Sequence, residues 1–229
     1  MESFRDMISV PKNIVVISPH PDDETLGVGA TIAKFVKMGS NVSVLVISGH
    51  LPPLYETSNF EVTKEEAIEA FKVLGIHEWQ FLKIPATMVH LTPIHELNKK
   101  ISDFIVEKKP ELVFLPFPDR HIDHRTIFDS SVVCCRPINN DSPKNILAYE
   151  TLSETHWNVP GVEANFIPEL FIDVTNSFEL KKKALNKYKS QIKDNNSRSI
   201  DACEALAHFR GSQNGCKYAE AFKVVRIVI

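Results

Sequence analysis

A doubly wound α/β fold, with a mostly parallel sheet between two layers of helices, is predicted by three features of the sequence. Short apolar runs alternate with segments of helical periodicity along the chain, the pattern of linked βαβ units. The runs Ile14-Val15-Val16-Ile17 and Leu112-Val113-Phe114-Leu115 are continuously apolar rather than alternating, as expected of parallel strands covered on both faces. Two of the runs lead into polar clusters, and ligands of such sheets bind beyond the carboxyl ends of the strands. The expected sheet is therefore Rossmann-like and the expected architecture three-layered.

The first βαβ unit reads as follows. After the strand at 14–17, residues 25–38 carry Leu26, Ala30, Ala33, Phe35 and Val36 at helical spacing, and Gly39 stands where a helix C-cap belongs. Residues 42–47 form the next strand, reached by a crossover expected to be right-handed. Residues 48–62, with Pro52-Pro53, read as a long loop, a feature usually functional or mobile. Thr63-Lys64-Glu65-Glu66 has the Thr-x-x-Glu form of a capping box and predicts a helix start there, running to about Leu74 before Gly75. A short strand at 79–82, a helix at 93–108 and a buried strand at 111–115 follow. A helix from about Ile127, strands at 146–151 and within 165–174, helices at 177–190 and 200–210, and a strand at 222–229 complete the chain. No repeat or linker interrupts it, so residues 1–229 read as a single domain.

The 229 residues are enough for one sizeable core. The net charge is −3, and basic residues are scattered apart from Lys181-Lys182-Lys183, which excludes the basic footprint of a nucleic-acid binder. The N-terminal segment has no cationic region followed by an apolar one, and no apolar run approaches membrane-spanning length. Cys134 and Cys135 are adjacent, and neither Cys203 nor Cys216 completes a Cys-x-x-Cys unit. Reduced, buried thiols and a cytoplasmic location are the expectation.

The chemistry concentrates in two clusters. His20-Pro21-Asp22-Asp23-Glu24 follows the first strand, and Asp119-Arg120-His121-Ile122-Asp123-His124-Arg125 follows the strand at 111–115. A catalytic zinc site needs three protein ligands and an open position, and two imidazoles with one carboxylate suffice. His20, one of the two aspartates and a histidine of the second cluster can supply them. A carboxylate of the first cluster and a His and an Asp of the second are then left over. Metal-assisted hydrolysis uses such groups as general base, oxyanion donor and orienting partner. Asp22-Asp23-Glu24 could equally be carboxylates favoured by a helix N-terminus, but two such clusters at two strand ends favour chemistry. No His-Glu-x-x-His is present, because Phe81 lies four positions past His77 and Lys99 four past His95.

Pro19-His20-Pro21-Asp22-Asp23-Glu24 and His121-Ile122-Asp123-His124 resemble the (A/P)HPDDE and HxDH motifs of the PIG-L/LmbE-like family of zinc-dependent N-acetylglucosamine deacetylases. The likeness extends over nearly the whole chain, through Val73-Leu74-Gly75-Ile76, Tyr149-Glu150-Thr151, Tyr188-Lys189-Ser190-Gln191, Arg198-Ser199 and Tyr218-Ala219-Glu220-Ala221-Phe222. The resemblance implies that His20, Asp23 and His124 bind zinc and that Asp22 is the general base. It further implies that His121, held by Asp123, stabilises the oxyanion or protonates the leaving amine. Arg120 matches a position where some relatives carry an arginine facing the substrate carbonyl. Relatives often place a substrate-binding arginine where Thr63 stands here, with Lys64 beside it, and Ser48-Gly49-His50 replaces their polar-Gly-Glu turn. Arg120, Lys64 and His50 are therefore the expected substrate-facing residues. The implied substrate is a small acetylated amino sugar or its conjugate, with no nucleic acid or membrane span involved. Family members include hexamers, so a homo-oligomer is an expectation too.

Other readings compete. Iron(II) also suits two histidines and a carboxylate, and a nonhaem iron(II) oxygenase uses that triad, but on β-barrel-like sheets. A nucleotide site at Gly27-Val28-Gly29 fails because the third glycine position holds Ile32 and no acidic residue ends the second strand. A non-catalytic metal- or sugar-binding protein of the same fold would have little use for a base beside the metal.

Overall fold

β1 (Asn13–Ser18) lies inside the sheet because both of its faces are apolar. Ile14 and Val16 enter the core on one side, Val15 and Ile17 the core on the other. The computed structural model describes residues 10–194 and 197–228. From β1 the chain continues through α1 (Asp23–Lys37), β2 (Asn41–Gly49), α2 (Thr57–Leu74), β3 (Glu78–Pro85) and α3 (Ile94–Lys108). Next come β4 (Leu112–Pro116), α4 (Ile122–Cys134), β5 (Asn145–Tyr149), β6 (Leu170–Asp173), α5 (Phe178–Leu185), α6 (Ile200–Ser212) and β7 (Ala219–Arg226).

The strand order is β3-β2-β1-β4-β5-β7-β6. The first five strands run parallel, and β7 is antiparallel to both β5 and β6. Helices α1, α2 and α5 pack together over one face, and α3 and α4 over the other. This is the mostly parallel, three-layered α/β arrangement that the sequence predicts. Its consequence lies between β1 and β4, which pair in register Ile14↔Leu112 and Val16↔Phe114. From β1 the chain winds toward β2, and from β4 toward β5, so the connections leave this pair in opposite directions. That divergence opens a crevice at the carboxyl edge of the sheet.

Two helices begin earlier than the local signals predict. α2 starts at Thr57, inside the expected loop, and Thr63 caps nothing. It is 2% exposed in mid-helix and its hydroxyl donates to the carbonyls of Asn59 and Phe60. The earlier start buries Phe60 against Gly49, where an added Cβ would lie 2.7 Å from the Phe60 ring. Burial of an aromatic ring outweighs the capping pattern. α4 starts at Ile122, with His121 as its cap: Nδ1 of His121 accepts the Asp123 N–H at 3.2 Å. Imidazole is outside the usual set of capping side chains, so the start carried no local signal. α5 stops at Leu185, short of 190, and Asn186 Nδ2 donates to the Lys182 carbonyl. Ile229, expected to end the last strand, lies outside the described residues.

Gly27 is explained by packing. A Cβ there would come within 2.1 Å of the Tyr149 ring, whose hydroxyl donates to the Ile17 carbonyl at 2.9 Å. The glycine lets α1 approach β5 closely.

α1 is also gripped by a buried ion pair. Lys181 Nζ lies 2.6 Å from Glu220 Oε1 and donates to the Leu26 carbonyl at 2.7 Å, while the Glu220 carboxylate accepts the N–H groups of Ala30 and Thr31. Both side chains are about 5% exposed or less. Lys181→Met is expected to leave Glu220 buried without its counter-charge and to destabilise the fold by about 3–5 kcal/mol. Chemical denaturation of wild type and variant measures this directly. A change below about 1 kcal/mol, the scale of an exposed pair, would refute it.

Among the described residues no helix is long and apolar enough to cross a membrane. All four cysteines are free, and burial pushes the Cys135 thiol up to about 12.

Candidate metal centre

The turn after β1 delivers the first cluster in one conformation. Asp22 sits at φ 127°, a region that side-chain-bearing residues rarely adopt, and is followed at once by α1. Behind it, the buried Glu24 carboxylate accepts the Ser18 hydroxyl at 2.9 Å, the Thr25 hydroxyl at 2.7 Å, the Tyr188 hydroxyl at 2.5 Å and the Asp22 N–H at 3.3 Å. Four donors on one carboxylate fix the turn. Asp22 and Asp23 thereby face the crevice from the end of β1. The second cluster arrives from β4, with Asp123 and His124 in the first turn of α4, both fully buried.

The two clusters meet. Asp23 Oδ2 lies 3.1 Å from His20 Nδ1 and 3.2 Å from His124 Nε2, so one carboxylate oxygen and two imidazole nitrogens converge. Each imidazole spends its other nitrogen on a carboxylate: His20 Nε2 on Asp123 Oδ2 and His124 Nδ1 on Asp119 Oδ2, both at 3.0 Å. A neutral imidazole that donates there presents its remaining lone pair to the convergence point, the arrangement that orients metal-binding histidines. His124 Nε2 is buried and has no hydrogen-bond partner, despite the nearby Asp23 oxygen. A buried, orphaned imidazole nitrogen aimed at a shared carboxylate fits a cation between them. His20, Asp23 and His124 have ligand atoms within 4.8 Å of one another, as do His20, His121 and Asp123.

Electrostatics tell the same story. Burial opposes a charge on His20, but Asp123 and Asp23 outweigh it and hold its pKa up to about 9. For His124, burial is likewise overcome by Asp23 and Asp119, to about 10. Without a metal the carboxylates therefore attract protons onto the imidazoles. Asp22 behaves differently: burial and the neighbouring Asp23 charge push its pKa up, against Arg198. Burial and the charges of His20 and His124 lower that of His121.

The structure differs from expectation at Asp123. Its carboxylate does not hold His121, whose Nδ1 lies 4.0 Å from Oδ2 and instead accepts the Asp123 backbone N–H. Asp123 accepts from Thr87 N–H at 2.6 Å and Val89 N–H at 3.3 Å and bonds His20. His121 Nδ1 is taken up in capping the helix, and the Asp123 carboxylate is taken up by His20 and by the backbone of Thr87 and Val89. The His121 ring still stands at the cluster, 4.7 Å from that of His20 and 5.1 Å from that of His124.

Of the expected substrate-facing residues, His50 has its pKa lowered by burial and then by the charges of His20 and Arg198, and its ring contacts Tyr55. Arg120 is half-exposed and paired with Glu163 at 3.1 Å. Lys64 pairs with Glu61 on its own helix, and among the described residues no contact joins it to the cluster. Sequence reasoning gave no role to Asp119, nor to Thr155, whose hydroxyl donates to Asp119 Oδ2 at 3.0 Å. Nor did it give one to Arg198, which reaches Asp22. Asp119 was visible in the second cluster and Arg198 in the Arg198-Ser199 segment of the family resemblance, though without a role; Thr155 carries no local signal.

Fold and site together define a doubly wound α/β protein with a candidate His/Asp/His metal site at the carboxyl edge of its sheet. The chain belongs to the PIG-L/LmbE-like deacetylase family: the family model described as "PIG-L: GlcNAc-PI de-N-acetylase" matches residues 15–134. The chain is 31% identical over 186 residues to the uncharacterized deacetylase YaiS of Escherichia coli K12, covering 78% of this chain and 91% of that one. It is 26% identical over 236 residues to the diacetylchitobiose deacetylase of Thermococcus kodakarensis, covering 98% and 85%. Among solved structures it resembles GalB, the 4-carboxy-2-hydroxymuconate hydratase of Pseudomonas putida KT2440, with a TM-score of 0.78 and 18% identity over 95% of this chain and 98% of that one. That last likeness carries the fold alone.

Proposed function

We propose that the protein is a zinc-dependent N-deacetylase that hydrolyses the acetamide of an amino sugar or of its glycoside or conjugate. Asp22 carries the reading. It is a buried carboxylate left outside the His20–Asp23–His124 convergence yet adjacent to it in the chain. A purely metal-binding site has no need of it.

Two imidazoles and a carboxylate suit zinc, and iron(II) as well. Bound there, the ion supplies Lewis-acid polarisation of the amide carbonyl and a more acidic water. The rest falls to the protein. Asp22 accepts a proton from the water that adds to the carbonyl carbon, and its raised pKa brings it closer to neutral pH, where a base works best. His121 uses Nδ1 on the Asp123 N–H, so its Nε2–H can donate to the carbonyl oxygen as charge develops there. Its lowered pKa favours that neutral donor form. As the C–N bond breaks, Asp22 returns the proton to the leaving nitrogen, giving free amine and acetate. Asp123 and Asp119 act through His20 and His124 and are positioning residues.

The substrate class is supported by the family description and by the name of the Thermococcus relative. His50, which feels the charge of His20, and Arg120, next to His121 in the chain, are the polar groups proposed for sugar hydroxyls. The test is a panel of N-acetylated sugars, sugar nucleotides and glycosides given to zinc-loaded protein. Acetate and free amine are expected from at least one member, lost on chelation and restored by zinc. A protein that turns over none of them, or that hydrates a double bond instead, is not the enzyme proposed.

A further inference from the structure

Arg198 reaches the site from far along the chain. Ser199 beside it caps α6 by accepting the Ala202 N–H at 3.2 Å, which fixes the backbone from which the arginine extends. Its guanidinium donates through Nε to Ser153 Oγ at 2.7 Å, through Nη2 to Glu154 Oε1 at 2.9 Å, and through Nη1 to Asp22 Oδ2 at 3.4 Å. Among the described residues no other side chain donates to the Asp22 carboxylate. Ser153 and Glu154 belong to the turn after β5 that Thr155 ties to Asp119. The planar fork thus spans from one wall of the crevice to the carboxylate that stands outside the ligand trio.

Asp22 needs such a partner. It occupies a strained backbone conformation and is flanked by the like charges of Asp23 and Glu24, so nothing on its own turn would hold the carboxylate toward the reacting water. An arginine fork that engages a hydroxyl, one carboxylate and a second carboxylate is directional in a way a lysine is not. We propose that Arg198 is the positioning residue of the general base. It fixes one Asp22 oxygen against the β5 wall and leaves the other to exchange the proton. The inference rests on the assignment of Asp22 as base.

The experiment compares Arg198→Ala and Arg198→Lys with Asp22→Asn in the zinc-loaded protein, on whichever acetylated sugar the wild type turns over. Arg198→Ala is expected to keep its zinc and KM while kcat falls about 10- to 100-fold, the range for losing a group that orients a reacting one. Added guanidinium ion should restore part of that kcat, and should do nothing for Asp22→Asn. Arg198→Lys, which keeps the charge without the fork, should lose about 10-fold in kcat, and it decides the matter alone if the alanine variant does not fold. Wild-type kcat in either folded variant, a rise in KM alone, or failure of guanidinium rescue overturns the inference. An active Asp22→Asn overturns instead the base assignment beneath it. Independently of turnover, a crystal structure of Arg198→Ala or Arg198→Lys is expected to show the Asp22 carboxylate rotated or in several orientations. A carboxylate unmoved from the wild type would refute the positioning role.

Discussion

Asp22→Asn is expected to retain bound zinc while losing acetate release by about 10²- to 10⁴-fold in kcat, the usual contribution of a positioned base. The change is close to isosteric, and asparagine tolerates a positive φ as aspartate does, so the turn at φ 127° should persist. Asp22 is not among the converging atoms of His20, Asp23 and His124, so the ion should stay. What disappears is the capacity to take up a proton. Steady-state kinetics paired with elemental analysis check both halves of this expectation. A variant that lost zinc along with activity would move Asp22 into the ligand set, and a fully active one would remove it from the chemistry.

His124→Ala should do the reverse, abolishing metal binding and activity together. His124 is fully buried, with Nδ1 held by Asp119 and Nε2 lacking any hydrogen-bond partner. Its loss deletes a donor atom outright. The expected drop in zinc affinity exceeds the roughly 10- to 100-fold that losing an outer partner costs. Zinc per chain after dialysis against a weak chelator is the measurement, and stoichiometric zinc in the variant would exclude His124 as a ligand. The wild type carries a linked expectation. In the metal-free protein His20 titrates at about 9 and His124 at about 10. Both are protonated at neutral pH, and only their neutral forms bind a metal. Zinc uptake should therefore release protons, and affinity should strengthen as pH rises toward those values.

The strands and the two donor clusters were legible because both are written locally. β1 declares itself by apolar residues on both faces, and the His20-to-Glu24 run places its donors within a single turn. That the two clusters meet needed only the inference that both strands end at the same edge of one sheet; that His20 and Asp23 meet His124 in particular was implied by the family resemblance. The start of α2 was missed because the burial of Phe60 beside Gly49 is a tertiary event that overrides a well-formed capping pattern. The start of α4 was missed because an imidazole serves as the cap. The partners of Asp123 are likewise not written locally. The resemblance implies that it holds His121, whose Nδ1 lies 4.0 Å away, while the hydrogen bonds of the carboxylate run across the crevice to His20 and to the backbone of residues 87 and 89.

By itself, then, the sequence determined the layered α/β class and two donor clusters with a carboxylate to spare, since each follows from residue types at short spacing, while the family resemblance singled out His20, Asp23 and His124. Only the tertiary structure decided which carboxylate steadies which imidazole, that Tyr188 helps hold the Glu24 turn, and that Arg198 meets Asp22. Those contacts span about 3 Å between segments far apart in the chain. Such distances are set by the pairing of β1 with β4 and by the path of the chain back over the sheet, which no local pattern of residues encodes.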